Sequence, residues 1–313
     1  MARDKIVDSM RGLAIVAMLF DHAIRNLLVD AMNSMLFWTP YLIIHQFGIF
    51  FFIIAGYCVN LSAEKRTGRG DRKAFLIHLF KRSIFIFASG FVINLIRVDP
   101  MLHWNVIHLI GLSVFLCGIL RVSDNKKACA AIFALLIAYS IIGPNVTSEM
   151  PVTNLSDLFY SVFFVGEFPL VSYLIYFIMG LGIGWFGLDK KFPHDKTLWI
   201  IYFLGLFFIL SLLIIPFGFF ESNFPFVLFV ILYLVASYSG LTLMKPEKVF
   251  SPVFDMLSSY GRYSFHIYFT HQFLFIFVAK YFGVQNTFSF ATAVSFFVLY
   301  SLASYALIKK LGH

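Results

Sequence analysis

Residues 41–62 read YLIIHQFGIFFFIIAGYCVNLS, a stretch without a single Asp, Glu, Lys or Arg. About 20 apolar residues in a helix cross roughly 30 Å of hydrocarbon, so this segment predicts a transmembrane helix. Comparable runs recur in both directions along the chain, near residues 8–28, 74–96, 105–121, 127–143, 168–187, 197–217, 223–243, 263–283 and 288–308. Pro144, Pro151, Pro193, Pro246 and Pro252 fall between these runs, where helix breakers belong. Hydrophobic residues make up 60% of the 313 and charged residues 13%, with 41 Phe; mean hydropathy is +0.85. A soluble domain carries roughly 25% charged residues, so a water-soluble fold is excluded. The expected fold is all-α, a polytopic transmembrane helix bundle of about 10 spans, with residues 1–313 forming a single domain.

The net charge of +8 would suit nucleic acid if it were clustered on one surface, but its distribution follows topology instead. Under ten spans, nineteen of the 24 Lys and Arg fall on one side, among them Lys65, Arg66, Arg69, Arg72, Lys73, Lys126, Lys127, Lys190, Lys191 and Arg262. Only Arg25, Arg97 and Lys280 fall on the other, and Lys81 and Arg82 lie inside the third span. Cytoplasmic loops carry such an excess, so both termini are expected in the cytoplasm and no nucleic acid partner is expected. The basic start is followed by a stretch containing Arg11, Asp21 and His22, which reads as a retained first helix rather than a signal peptide. Leu158 to Val165, in the longest external segment, is apolar but too short to cross, and reads as a re-entrant or interfacial lid. Cys58, Cys117 and Cys129 read as small buried hydrophobes, and Gly180, Gly182 and Gly184 as sites of close helix packing.

Ionisable side chains at membrane depth cost at least about 2.5 kcal/mol each, which makes every one a functional candidate. Arg11 and His22 are eleven positions apart, hence about 20° apart around a helix and about 16 Å along it. Asp8, Ile15, Met18 and Arg25 fall near the same stripe, and Asp21 lies about 100° away, placed to orient a neighbour. His45 and Gln46 open the second span, His103 and His108 flank the fourth, and His266 and His271 lie in the ninth. Histidine accepts protons near neutral pH. The histidine spacings of five differ from the i, i+4 pattern of helical metal ligands, and no metal is expected. Neither a GxSxG elbow nor a P-loop is present.

The segment DSMRGLAIVAMLFDH (8–22), with Arg, ten intervening residues and His, resembles the opening of the transmembrane acyltransferase superfamily. FGIFFFIIAGYCVNLS (47–62), HWNVIHLIGLSVF (103–115), EFPLVSYLIYFIMGLGIG (167–184) and GRYSFHIYFTHQ (261–272) resemble later segments of one branch. That branch is the heparan-alpha-glucosaminide N-acetyltransferase family in its short bacterial form; acyltransferase family 3 shares the first motif. The resemblance implies transfer of an acyl group, usually acetyl, from cytosolic acyl-CoA to the amine or hydroxyl of a sugar. It also implies residence in the bacterial cytoplasmic membrane, with acyl-CoA as a donor substrate rather than a resident cofactor. It gives His22 the catalytic role, with Asp21 beside it. Arg11 becomes the motif partner, directed to donor phosphates or to helix support. Arg82 matches a basic residue early in the third helix, and His108 and His271 lie in matched segments. Lysosomal members carry a histidine in the first external loop, so His45 stands beside His22 as the residue that could do the chemistry. Gln46 is placed to fix an imidazole tautomer, and Arg262 to meet nucleotide phosphates. The rival readings from the same residues are a proton-coupled transporter or flippase for a small polar or lipid-linked solute, and a non-catalytic scaffold.

Overall fold

Long apolar runs between helix breakers form helices wherever the chain is described. The computed structural model describes residues 5–27, 47–67, 71–97, 99–100, 103–142, 154–165, 168–187, 251–284 and 287–311. Among them the helices are α1 (Lys5–Leu27), α2 (Phe47–Thr67), α3 (Arg72–Arg97), α4 (Val106–Val122), α5 (Lys126–Ile142), α6 (Leu155–Tyr160), α7 (Leu170–Trp185), α8 (Ser251–Arg262), α9 (Ser264–His271), α10 (Ala279–Tyr281) and α11 (Phe290–Leu311). Short π-helical turns, Ser161–Val165 and Gln272–Val278, extend α6 and α9. No strand occurs among the described residues. Asp71, Asn105 and Asn154 begin α3, α4 and α6 by accepting backbone N–H groups through their side chains, which satisfies donors that the first helical turn leaves open.

Among the described residues three helices are long and apolar enough to cross a membrane, Gly48–Arg66, Arg72–Arg97 and Phe290–Lys310, and Val106–Val122 and Leu170–Trp185 are shorter apolar helices. The expected spans at 197–217 and 223–243 lie outside the described residues. The lid expected from Leu158 to Val165 is a short helix running into a π turn.

Contacts divide the described chain into two compact units. The first runs from Phe52 through α7. Within it, α3 and α4 form an antiparallel pair: Gly118 meets Leu79, Gly111 meets Phe87, and Gly90 meets His108. Helices α2 and α7 touch through Gly56, Gly180 and Gly184, where a Cβ would overlap Phe177 O, Ile53 O or the Asn60 amide. Gly182 instead faces Phe186 at an ordinary distance. Small residues four apart let two helices approach in this way. At the same end, Arg121 Nε donates to Asn60 Oδ1 at 2.8 Å, and its guanidinium lies 4.8 Å from the Trp185 ring centroid.

The second unit joins the two ends of the chain. Its core gathers Ile15, Leu19, Ala23, Ile24 and Leu27 of α1 with Tyr260, Ile267, Phe275 and Ala293. Helix α1 therefore contributes its apolar face to the core of its own unit, and Asp8 and Asp21 are buried with it. Helix α8 falls where hydropathy indicates a loop, twelve residues before the expected start of the ninth span. Its sequence, SPVFDMLSSYGR, is too polar to register as a span, yet Phe254, Leu257, Ser258 and Tyr260 are buried. A Cβ on Gly12 would overlap Leu257 O, and one on Gly261 would overlap Asp8 O. The polar and small residues that hide α8 from hydropathy are those that admit α1.

Candidate functional site

Helices α8 and α9 are separated only by Tyr263, a non-helical joint at φ −103° and ψ 20°, with Tyr263 N donating to Ser259 O at the end of α8 and Ile267 N to Tyr263 O at the start of α9. The pair follows α1 as one jointed rod. Its contacts with α1 keep nearly constant register: Lys5 with Asp255 at 3.7 Å, Arg11 with Gly261, and His22 with His271 and Gln272. Residue numbers rise together along both partners, so the rods lie side by side in the same direction.

Their upper contact is a cluster of polar groups. His22 Nδ1 and His271 Nε2 are 2.7 Å apart, and the rings stack with centroids 4.9 Å apart. His271 and Gln272 are buried, at 0% and 1% exposure, and His22 is partly buried. The tautomers follow from the partners. His271 Nδ1 lies 3.2 Å from Ile267 O, a carbonyl that can only accept, so Nδ1 carries the proton and Nε2 is an acceptor. His22 Nδ1–H therefore donates to His271 Nε2, which leaves the lone pair of His22 on Nε2. Gln272 Nε2 lies 3.0 Å from His271 Nε2, 3.4 Å from His22 Nδ1 and 3.3 Å from the Tyr268 hydroxyl. Helix α11 completes the support, since the Tyr300 hydroxyl donates to Ile267 O at 3.3 Å and pairs with Thr270 Oγ1 at 2.8 Å. The π turn starts at Gln272, where two adjacent residues both turn inward; single π segments often mark functional positions.

Chemically, an imidazole held in one tautomer by a second, buried imidazole can take a proton on its other nitrogen and share the resulting charge with its neighbour. An acid–base histidine with an orienting partner works in this way.

Of the residues singled out from the sequence, the structure brings His22 and His271 together and places Arg11 and Asp21 on the same helix as His22. Asp21 is buried at 5% exposure. Arg11 Nη1 donates to Gly261 O at 3.1 Å and lies 3.5 Å from Asp8 Oδ1. His266 is exposed and packs its ring against Tyr263 and Phe265. Arg262 and Arg82 are exposed, the latter in the first unit. His108 is also in the first unit, where it reinforces the cap of α4. His45 and Gln46 lie outside the described residues. Tyr268 and Gln272 belong to the network; the sequence reading quoted them within segment 261–272 and gave them no role. Their i, i+4 spacing beside His271 was the available signal.

A family model described as "Heparan-alpha-glucosaminide N-acetyltransferase, catalytic" matches residues 3–214, more than half of the chain. No curated protein matches it. The matched region includes His22 and ends before α8, so His271 and Gln272 lie beyond it.

Proposed function

The chain belongs to the heparan-alpha-glucosaminide N-acetyltransferase family, and from that premise we propose that it is a membrane-embedded acyltransferase. It moves an acetyl or other acyl group from cytosolic acyl-CoA to the amine or hydroxyl of a sugar on the far side of the bacterial cytoplasmic membrane. The observation that carries this reading is the 2.7 Å contact between His22 and His271, which leaves His22 Nε2 as the basic nitrogen.

In direct transfer, the acceptor N or O attacks the thioester carbonyl, a C–N or C–O bond forms, and the C–S bond breaks. The acceptor's proton passes to His22 Nε2 and then to the departing CoA thiolate. In the covalent route, Nε2 attacks the thioester carbonyl, the C–S bond breaks and CoA leaves as thiolate. The acceptor then attacks the acyl-imidazole, the N–C bond breaks, and the acceptor's proton passes to the freed Nε2 and on to the thiolate. Both routes use the same nitrogen, and His271 positions it. The buried carboxylate of Asp21 is proposed to favour the imidazolium electrostatically. Arg82 and Arg262 are proposed to meet donor phosphates. Arg is suited to them by its fork of donors. His108 is assigned no direct contact with donor or acceptor, while His45 and Gln46 remain proposed members of the acceptor side.

About ten spans and cytoplasmic termini fit the same reading. Two rods running in the same direction require the chain to cross the membrane an odd number of times between them. Helices α2, α3, α4, α5 and α7 supply five crossings, and the apolar stretches 197–217 and 223–243 supply two more. Exposed apolar side chains on α3, such as Phe85 and Leu95, and on α11, such as Leu299 and Leu302, suit lipid contact.

The test is retention of radiolabelled acetyl-CoA by purified protein in detergent, with transfer of label to amino sugars and glycans, for wild type and His22→Ala. Retention by both and transfer by wild type alone is expected. A well-folded wild type that retains no acyl-CoA of any chain length would sink the proposal and favour proton-coupled transport.

A further inference from the structure

Helix α1 and the α8–α9 rod are tied by directed bonds near the start of α8, where Lys5 meets Asp255 and Ser9 Oγ donates to Phe254 O at 3.3 Å, and at two further heights. At the lower one, Arg11 donates to Gly261 O, and the glycines at 12 and 261 bring the backbones into contact. At the upper one, His22 meets His271 and Gln272. Eleven residues separate Arg11 from His22, about 16 Å of helix, and ten separate Gly261 from His271 across the joint at Tyr263. The two ties are thus the rungs of a frame. Between the rungs the contact is apolar, with Ile15, Leu19 and Ile267 in one buried cluster, and apolar attraction is non-directional. It holds the rods together without fixing how far one has slid along the other. The lower rung supplies that constraint at the end of α8 nearest the joint, beyond the bond from Ser9 Oγ to Phe254 O.

The surroundings of Arg11 suit this role better than a donor phosphate. Its side chain is 14% exposed and its charge is met by Asp8, itself 5% exposed. A paired charge in a dry setting is tolerated where a lone one is not, and the pair has little net charge to offer an anion.

We infer that Arg11 is a positioning residue: by gripping the α8–α9 rod at Gly261 it sets the height at which His271 and Gln272 stand beside His22. The inference rests on the acyltransferase reading only for its kinetic consequence. The geometry can be read without turnover.

The measurement uses the full-length protein labelled with 15N-histidine, and reads the scalar coupling across the N–H···N bond between the two imidazoles, assigned by its loss in His271→Gln. Wild type is expected to show the coupling. Arg11→Ala is expected to lose it and to lower transfer about 100-fold, the scale of a 1 Å misplacement, while acetyl-CoA retention is unchanged. Arg11→Lys keeps the charge opposite Asp8 and a donor for Gly261 O, and should recover part of both. If Arg11→Ala does not yield folded protein, Arg11→Lys is read against wild type: weakened coupling with intact donor retention supports the inference, and intact coupling overturns it. Wild-type coupling in folded Arg11→Ala also overturns it, and loss of donor retention beside that result would give Arg11 to the donor. Coupling absent from the wild type overturns it at once. Coupling lost in Arg11→Ala, in a protein that transfers no acyl group, would keep the positioning role and sink the enzymatic reading.

Discussion

His108 in the first unit and His271 in the second are both buried, at 2% and 0% exposure, and both bond to the main chain of their own helix or its cap. They do so through opposite chemistry. His108 Nδ1 accepts from Asn105 N at 3.3 Å, so its proton sits on Nε2. That nitrogen has no hydrogen-bond partner among the described residues and stands against Gly90, with the rings of Phe87, Phe91 and Trp104 around it. Asn105 holds the cluster by donating to Gly90 O and accepting from Ile107 N and His108 N. In His271 the Nδ1 proton goes to Ile267 O, and the Nε2 lone pair faces a second imidazole. Burial and residue type are the same in both. Whether Nδ1 accepts from the main chain or donates to it decides whether the other ring nitrogen carries a proton, as in His108, or offers a lone pair to a neighbour, as in His271.

The largest effect expected is for His22→Ala, which should lower acyl transfer about 1,000-fold, within the range of a lost general base, with acetyl-CoA retention intact. His271→Phe keeps a ring of similar size and removes the acceptor that fixes the tautomer. Transfer should fall about 100-fold, within the same range, and a result near wild type would dissolve the contrast with His108. Gly261→Ala forces a methyl group into Asp8 O, and overpacking of this kind costs about 1–3 kcal/mol. Thermal unfolding in detergent should begin at a lower temperature, and transfer should weaken through the shifted rod. The smallest effect belongs to His108→Phe. Loss of its share in the α4 cap should cost about 1 kcal/mol of stability and leave the transfer rate per folded molecule unchanged. A rate loss as deep as that of His271→Phe would place His108 in the chemistry and break the comparison from the other side.

The helical class and most helix positions were legible because hydropathy integrates over whole spans, and a run such as residues 41–62 leaves little choice of environment. His22 and Arg11 were legible as ionisable groups on an otherwise apolar helix. Helix α8 was not, because small and polar residues chosen for contact with α1 depress hydropathy, and Pro252 reads as a breaker although a proline is tolerated in the first turn of a helix. The partnership of His22 with His271 could not be read from spacing either, since 249 positions separate them. Gln272 received no role because nothing along the sequence ties it to His22, 250 positions away. In a dry network, a neutral amide that can donate to His271 Nε2 or to the Tyr268 hydroxyl matters as much as an ion.

The frame built from α1 and the α8–α9 rod also bears on how the protein is made. A ribosome adds roughly 5–20 residues per second, so α1 is completed on the order of ten to fifty seconds before the partner that receives its Arg11 and His22. During that interval Asp8, Arg11 and Asp21 lie on a nascent segment whose hydropathy alone does not commit it to lipid, while later, more apolar helices are already entering the bilayer. Helix α1 is therefore expected to wait at the insertion machinery or at the membrane surface. Any chain released before residue 272 would carry His22, the proposed acid–base histidine, with nothing to orient it, so an unfinished copy is expected to be silent rather than misdirected.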